Sequence, residues 1–241
     1  MSSANTFLSV YNKTDHFLKE KYSMDRNMSY SRMLDEVAMK SAVIRKYRAT
    51  LKQFGQLRNA IVHEYRDGEV IAEPTEKAME EFQRIYEKVT KPKRVIDVVG
   101  TSVIRVFKTD TIGKALDIMK KQGFSQVPVV GDDGFIGMFS AVHLIEVLSD
   151  DSEGSSNNSD MTIENIKNMR LDEVLTYSDR YRQVRFLPKK ATVHDAIEIY
   201  ENMALEDHQI DAILITETGK SHQMPIGILT DSDIPALLNE I

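Results

Sequence analysis

Two short stretches gather side chains capable of chemistry. The first is Leu57-Arg58-Asn59-Ala60-Ile61-Val62-His63-Glu64-Tyr65. On a helix, Asn59 and His63 are four apart and share one face, while Arg58 and Tyr65, seven apart, share the neighbouring face. A guanidinium holds a phosphate through paired N–H groups and stabilises charge that develops in a transition state. An imidazole takes and gives a proton near neutral pH. With an amide and a phenol beside them, these are the parts for cleaving RNA without a metal. The 2′-hydroxyl attacks, His63 moves the proton and Arg58 steadies the phosphorane. The same residues also read as a satisfied histidine and a surface arginine on a packing helix.

The second stretch is Pro225-Ile-Gly-Ile-Leu-Thr-Asp-Ser-Asp-Ile-Pro-Ala-Leu-Leu238. Ile226, Ile228 and Leu229 form a short apolar run that reads as a buried strand. Thr230 ends the strand as the N-cap of a helix, with Asp233 in its first turn. A hydroxyl, a carboxylate and unpaired N–H groups then meet at a helix start. The N–H groups favour anions, and the carboxylate accepts from a sugar diol. An ordinary capping box accounts for the same spacing.

The elements that must hold this second group occur twice. Phe135-Ile136-Gly137-Met138-Phe139-Ser140-Ala141-Val142-His143 repeats the order of apolar strand, hydroxyl, two residues and polar residue. Upstream, Thr111 to Met119 aligns with Thr192 to Tyr200, and Val127-Pro128-Val129-Val130 with Ala212-Ile213-Leu214-Ile215. Each copy reads strand, helix, strand, strand, helix, a period at which internal repeats define architecture.

Over Val95 to Ile241 the repeat resembles a tandem pair of CBS domains, a Bateman module. That resemblance implies an adenine nucleotide (AMP, ADP or ATP) or a related adenosyl ligand as regulator, with no obligatory cofactor and no metal. It also implies one complete site from Thr101, Phe124, Ser125, Val127, Thr230 and Asp233. Thr101 and Thr230 would meet ribose or phosphate, Asp233 would accept from the ribose hydroxyls, and Phe124 to Val127 would border the base. A weaker, empty or altered second site would draw on Arg182, Ile210, Asp211, Ser140 and His143. There His143 replaces the ribose carboxylate and Asp211 repels phosphate. Arg182 with His143 favouring a more anionic ligand, or Ser140 and His143 as a plain helix cap, are the other readings.

Ahead of the repeat, apolar spacing predicts helices over residues 4–22, 30–54, 57–65 and 76–89. Asp67-Gly68 is a turn signal, Thr75 an N-cap, and Pro92 marks a boundary. Residues 1–90 and the Arg58, Asn59, His63 spacing resemble the HEPN superfamily of small helical domains, and Tyr65 completes the Arg-x4-His-x-Tyr form of some toxins. This implies a metal-independent endoribonuclease acting on single-stranded RNA as a homodimer, with the motifs facing across a groove. A non-enzymatic regulator whose helical domain only dimerises or docks a partner is the alternative.

The expected fold is α+β: an N-terminal α-helical bundle (1–92), then two βαββα units packed as a pair (93–148 and 162–241), with a polar, flexible linker at 149–161. Thr162 would cap a helix to about Leu175, and Lys220 and His222 would decorate a hairpin or reach a phosphate tail. The chain of 241 residues has no Cys and a net charge of −6. Disulfides and thiolate metal sites are thereby excluded. No apolar run spans a bilayer and no secretory start is present, which points to the cytoplasm. Residues 1–95 hold 18 basic and 13 acidic side chains (+5), leaving 13 and 24 (−11) for the remainder. A +5 balance is compatible with nucleic acid and equally with a solvated helix surface.

Overall fold

The structure is a computed structural model. It describes residues 3–63, 65–66, 69–70, 72–149, 162–175, 184–205 and 210–241.

The helical region comprises α1 (Ser3–Lys21), α2 (Tyr30–Ala38), α3 (Ala42–His63) and α4 (Glu76–Thr90). A two-stranded ribbon of β1 (Tyr65–Arg66) and β2 (Glu69–Val70) lies between α3 and α4. Then come α5 (Val95–Val99), β3 (Val106–Phe107), α6 (Ile112–Gln122), β4 (Gln126–Gly131), β5 (Gly134–Ser140) and α7 (Ala141–Ser149). They are followed by α8 (Ile163–Asn168), α9 (Leu171–Val174), β6 (Val184–Pro188), α10 (Val193–Leu205), β7 (Ala212–Thr216), β8 (Gly227–Leu229) and α11 (Ile234–Glu240). The mixture of helix and sheet fits the α+β expectation.

The chain forms two compact units, each assembled from separated segments. One joins residues 1–98 with 192–202 and 234–241; the other joins 99–191 with 203–233.

In the first unit Phe7, Phe54 and Phe82 meet at ring-centroid distances of 4.5 to 6.0 Å. Leu18, Leu34, Ile44 and Ile85 are fully buried with them. One aromatic from each of α1, α3 and α4 therefore welds three helices, since ring pairs add to the area they bury. The single helix expected from Tyr30 to Phe54 is two helices. The backbone turns at 39–41, Arg45 Nε donates to the Ala38 carbonyl at 3.0 Å, and Ser41 O starts α3 by accepting from Arg45 N. The apolar period carries across this turn, so the sequence pattern hides it. The helices expected separately over 42–54 and 57–63 are one, and Gly55 lies inside unbroken α3. A Cβ there would come within 3.2 Å of the Tyr30 ring, so the glycine serves close packing.

The helix expected over 57–65 does not reach Tyr65. Helix α3 ends at His63, and Tyr65 pairs with Val70 in the β ribbon. Asp67-Gly68, read as a turn signal, lies outside the described residues. Tyr65 thus shares no helix face with Arg58.

The second unit holds two three-stranded sheets of one topology. In the order β3-β4-β5 the first pair is parallel and the second antiparallel; β6-β7-β8 repeats this. Helix α6 starts on Thr111, which accepts from Lys114 N, and stops at Gly123 in the left-handed conformation (φ 72°). Val106, Ile112, Val127, Val129 and Phe139 form the first sheet's core. The helix expected from Thr162 to about Leu175 is α8 and α9. Thr162 caps α8, but the Met169 carbonyl and Leu171 N–H bond to Ile112 and Asp110. That detour places Leu171 and Val174 in the same core.

The two sheets are tied within this unit. Gln126 Nε2 donates to the Asp211 carbonyl at 2.5 Å, and the Phe135 and Phe186 rings meet edge to face at 5.5 Å. Gly134 has φ 127°, and a Cβ there would collide with the His222 carbonyl. The 220–223 turn is thus a packing element: Gln223 Oε1 accepts from Thr218 and the Gln223 carbonyl from Phe135 N.

Candidate functional site

Strand β8 ends at Leu229, and the next four residues form a tight turn. Asp231 to Asp233 make one 3-10 turn before α11 begins. Thr230 N donates to Asp233 Oδ2 at 2.8 Å, and Thr230 Oγ1 donates to the same oxygen at 3.1 Å. Asp233 N returns a bond to the Thr230 carbonyl. Thr230 and Ser232 hydroxyls lie 2.8 Å apart. Both side-chain bonds fall on Oδ2, so Oδ1 has no protein partner among the described residues. A carboxyl group oriented in this way keeps an oxygen as acceptor for a hydroxyl donor.

The first repeat closes the same turn with different atoms. Ser140 N donates to His143 Nδ1 at 3.2 Å, and Val142 N donates to Ser140 Oγ. Nδ1 is therefore the unprotonated nitrogen. The His143 ring stacks on Phe139 at 5.5 Å and is 2 % exposed. An imidazole so placed caps a helix; buried in this way, it does not present the open acceptor that Asp233 does.

The remaining expected residues fall into two groups. Thr101 is exposed in a bend after Gly100 (φ 81°), Ser125 is exposed, and Phe124 is 44 % exposed, so all three present side chains to solvent. Val127 is 0 % exposed inside the first sheet's core, leaving only its main chain for a ligand. Among the described residues no hydrogen bond joins Thr101 or Ser125 to Thr230 or Asp233. Ile210 is buried, Asp211 is half-buried with its carbonyl taken by Gln126, and Arg182 lies outside the described residues.

In the helical region Arg58 Nη1 donates to Asn59 Oδ1 at 3.2 Å, and its guanidinium carbon lies 5.8 Å from the Tyr11 ring centroid. Tyr11 packs on Tyr30 at 4.5 Å. Burial pushes the Tyr11 phenol up to about 12, Asp15 adds to this, and Arg58 opposes it. The Tyr30 phenol is raised further, chiefly by burial. The side chains of His63 and Tyr65 lie outside the described structure.

Sequence reasoning missed Tyr11, Ser232 and Gln126. Tyr11 lies four residues from Phe7 on one helix face, which signals burial but not which cation it meets. Ser232 sits inside the Thr230–Asp233 spacing and was legible there. The sequence shows Thr192 and Asp195 only as part of the repeat, not as a cap. Asp195 Oδ2 accepts from Thr192 N at 2.7 Å and Oγ1 at 2.9 Å, the same geometry at the start of α10.

Residues 95–150 match the family model of the CBS domain. That segment is thus similar to the CBS domain, and the sheet β6-β7-β8 has the same topology as β3-β4-β5. A comparison with curated protein sequences finds no match. Among solved structures, AcuB from Vibrio cholerae is similar at 19% identity and a TM-score of 0.42, over 60% of this chain and 88% of that one. The CBS domain pair of protein MJ0100, in complex with 5′-methylthioadenosine and S-adenosyl-L-methionine, is similar at 17% identity and 0.40, over 61% and 97%. Protein MJ1225 from Methanocaldococcus jannaschii is similar at 18% and 0.44, over 77% and 62%. Among the described residues no helix is long and apolar enough to cross a membrane.

Proposed function

We propose that this protein is a cytoplasmic adenine-nucleotide sensor whose CBS pair regulates its N-terminal helical domain. The reading keeps the boundaries 1–92, 93–148, 149–161 and 162–241, with the helical domain as a dimeric, metal-independent ribonuclease of HEPN type. AMP, ADP, ATP or a related adenosyl ligand binds Thr101, Phe124, Ser125, the Val127 main chain, Thr230 and Asp233. The observation that supports it most is the Thr230–Asp233 turn, where a pre-oriented carboxylate keeps Oδ1 for the ribose hydroxyls. The site built on Arg182, Ile210, Asp211, Ser140 and His143 is the weaker one, since His143 spends Nδ1 on its own helix. Regulation requires only that the ligand favour one arrangement of the pair over another.

For the output, Arg58 and Asn59 bind the scissile phosphate of single-stranded RNA while His63 moves the proton. A non-enzymatic output is favoured by one observation: Arg58 already lies over Tyr11 and bonds Asn59, as a packing residue would. The test is titration calorimetry of the full chain with AMP, ADP and ATP, beside cleavage of single-stranded RNA with each ligand. Binding with ligand-dependent cleavage supports the whole reading. Binding without cleavage leaves the non-enzymatic regulator, and no binding overturns the sensor.

A further inference from the structure

The two helices that flank β7 and β8 in the chain belong largely to the compact unit of the N-terminal helices: residues 192–202 and 234–241 pack with 1–98. The end of α11 is held there by cations. Lys46 Nζ donates to the Ile241 carbonyl at 2.7 Å and to that of Leu238 at 3.4 Å. Lys88 Nζ donates to the same Ile241 carbonyl at 3.0 Å. Lys93 pairs with Glu240 at 2.9 Å, and the Tyr47 hydroxyl reaches the Ile241 carbonyl at 3.4 Å. Carbonyls at a helix end carry partial negative charge and lack intrahelical partners, so ammonium groups both neutralise and satisfy them. Beside this grip, Arg45 pairs with Glu201 of α10 at 2.6 Å.

Three of these groups, Arg45, Lys46 and Tyr47, lie in the first two turns of α3, and Lys88 in the last turns of α4. The far end of α3 carries Arg58, Asn59 and His63, about 18 Å along the same helix at 1.5 Å per residue. The other end of α11 begins at Ile234, the residue bonded to Asp233. One short helix therefore connects the candidate ligand turn to a helix bearing the candidate phosphate-binding residues.

We infer that α11 is the regulatory link of this protein. A change in the Thr230–Asp233 turn displaces α11, and the Lys46–Lys88 grip on its last carbonyls passes that change into α3 and α4. The inference rests on the sensor reading for its ligand, but the mechanical link can be tested without one. In a double-mutant cycle on the full chain, hydrogen–deuterium exchange of the α3 amides would be followed. The arms are Asp233→Ala, Lys46→Ala with Lys88→Ala, and all three together. Asp233→Ala should raise α3 exchange about fivefold in the native background and less than twofold once the lysines are gone. Independent, multiplicative effects would overturn the link. Should the lysine pair fail to fold, Lys88→Gln alone must still reduce the effect of Asp233→Ala. A ligand arm separates the two readings. If AMP binds by calorimetry yet leaves α3 exchange unchanged, the link fails and the sensor stands. If no adenylate binds, the sensor fails and the cycle alone decides the link.

Discussion

Asp233 Oδ2 accepts both the N–H and the hydroxyl of Thr230, at 2.8 and 3.1 Å, and so closes the turn that follows β8. At the equivalent place in the first repeat, a ring nitrogen of His143 accepts the Ser140 N–H at 3.2 Å. The cap survives the exchange of carboxylate for imidazole because each supplies an in-plane lone pair to one N–H. The spare oxygen and the negative charge do not survive it. From this difference follows the asymmetry of the two proposed sites.

Asp233→Ala should therefore weaken adenylate binding by at least about tenfold, ~1.4 kcal/mol. His143→Ala should change it less than about threefold, and Asp195→Ala, which removes an identical cap on α10, should leave it unchanged. Titration calorimetry of the three variants decides this, and equal losses for Asp233→Ala and His143→Ala would remove the asymmetric-site reading.

Arg58→Ala and His63→Ala should each reduce RNA cleavage about a hundredfold or more, with the circular dichroism spectrum unchanged. Cleavage of a fluorescent single-stranded RNA measures this. Cleavage that survives either substitution would assign it to other residues.

Stability should fall on acidification through His194. Burial, with Lys21 adding to it, pulls this imidazole down to about 4, against the opposing pull of Asp195. Neither ring nitrogen has a hydrogen-bond partner among the described residues. The unfolded chain thus binds the proton between about pH 6.5 and 4 while the folded chain refuses it. Stability is complete above pH 6.5 and declines as pH falls through that window. The full linkage is about 3 kcal/mol, and partial solvent contact leaves about 2 of it. Denaturant titrations at several pH values should show the slope, and His194→Gln should flatten it.

Phe82→Ala should cost about 3–5 kcal/mol, because it removes the ring that stacks on Phe54 and tilts against Phe7. Gly134→Ala should also destabilise, since its Cβ meets a backbone carbonyl that cannot turn aside. Chemical denaturation of each variant supplies the numbers.

Much of the secondary structure could be read from local pattern. The strand–helix–strand–strand–helix repeat, the caps at Thr75 and Thr162, and the Thr230–Asp233 spacing depend on residues a few positions apart, whose geometry the backbone imposes. Where that reading failed, the deciding atoms came from elsewhere. The turn at 39–41 is completed by the Arg45 side chain, and Tyr65 left the expected helix to pair with Val70.

The sequence by itself determined the repeated βαββα units, their polar turns and the helical front segment, because periodicity and capping are local. Only the tertiary structure decided that residues 192–202 and 234–241 join the N-terminal helices, that Val127 turns into a core, and that Lys46 and Lys88 converge on one carbonyl. Those facts depend on packing between segments up to 195 residues apart, which leaves no mark in any local pattern.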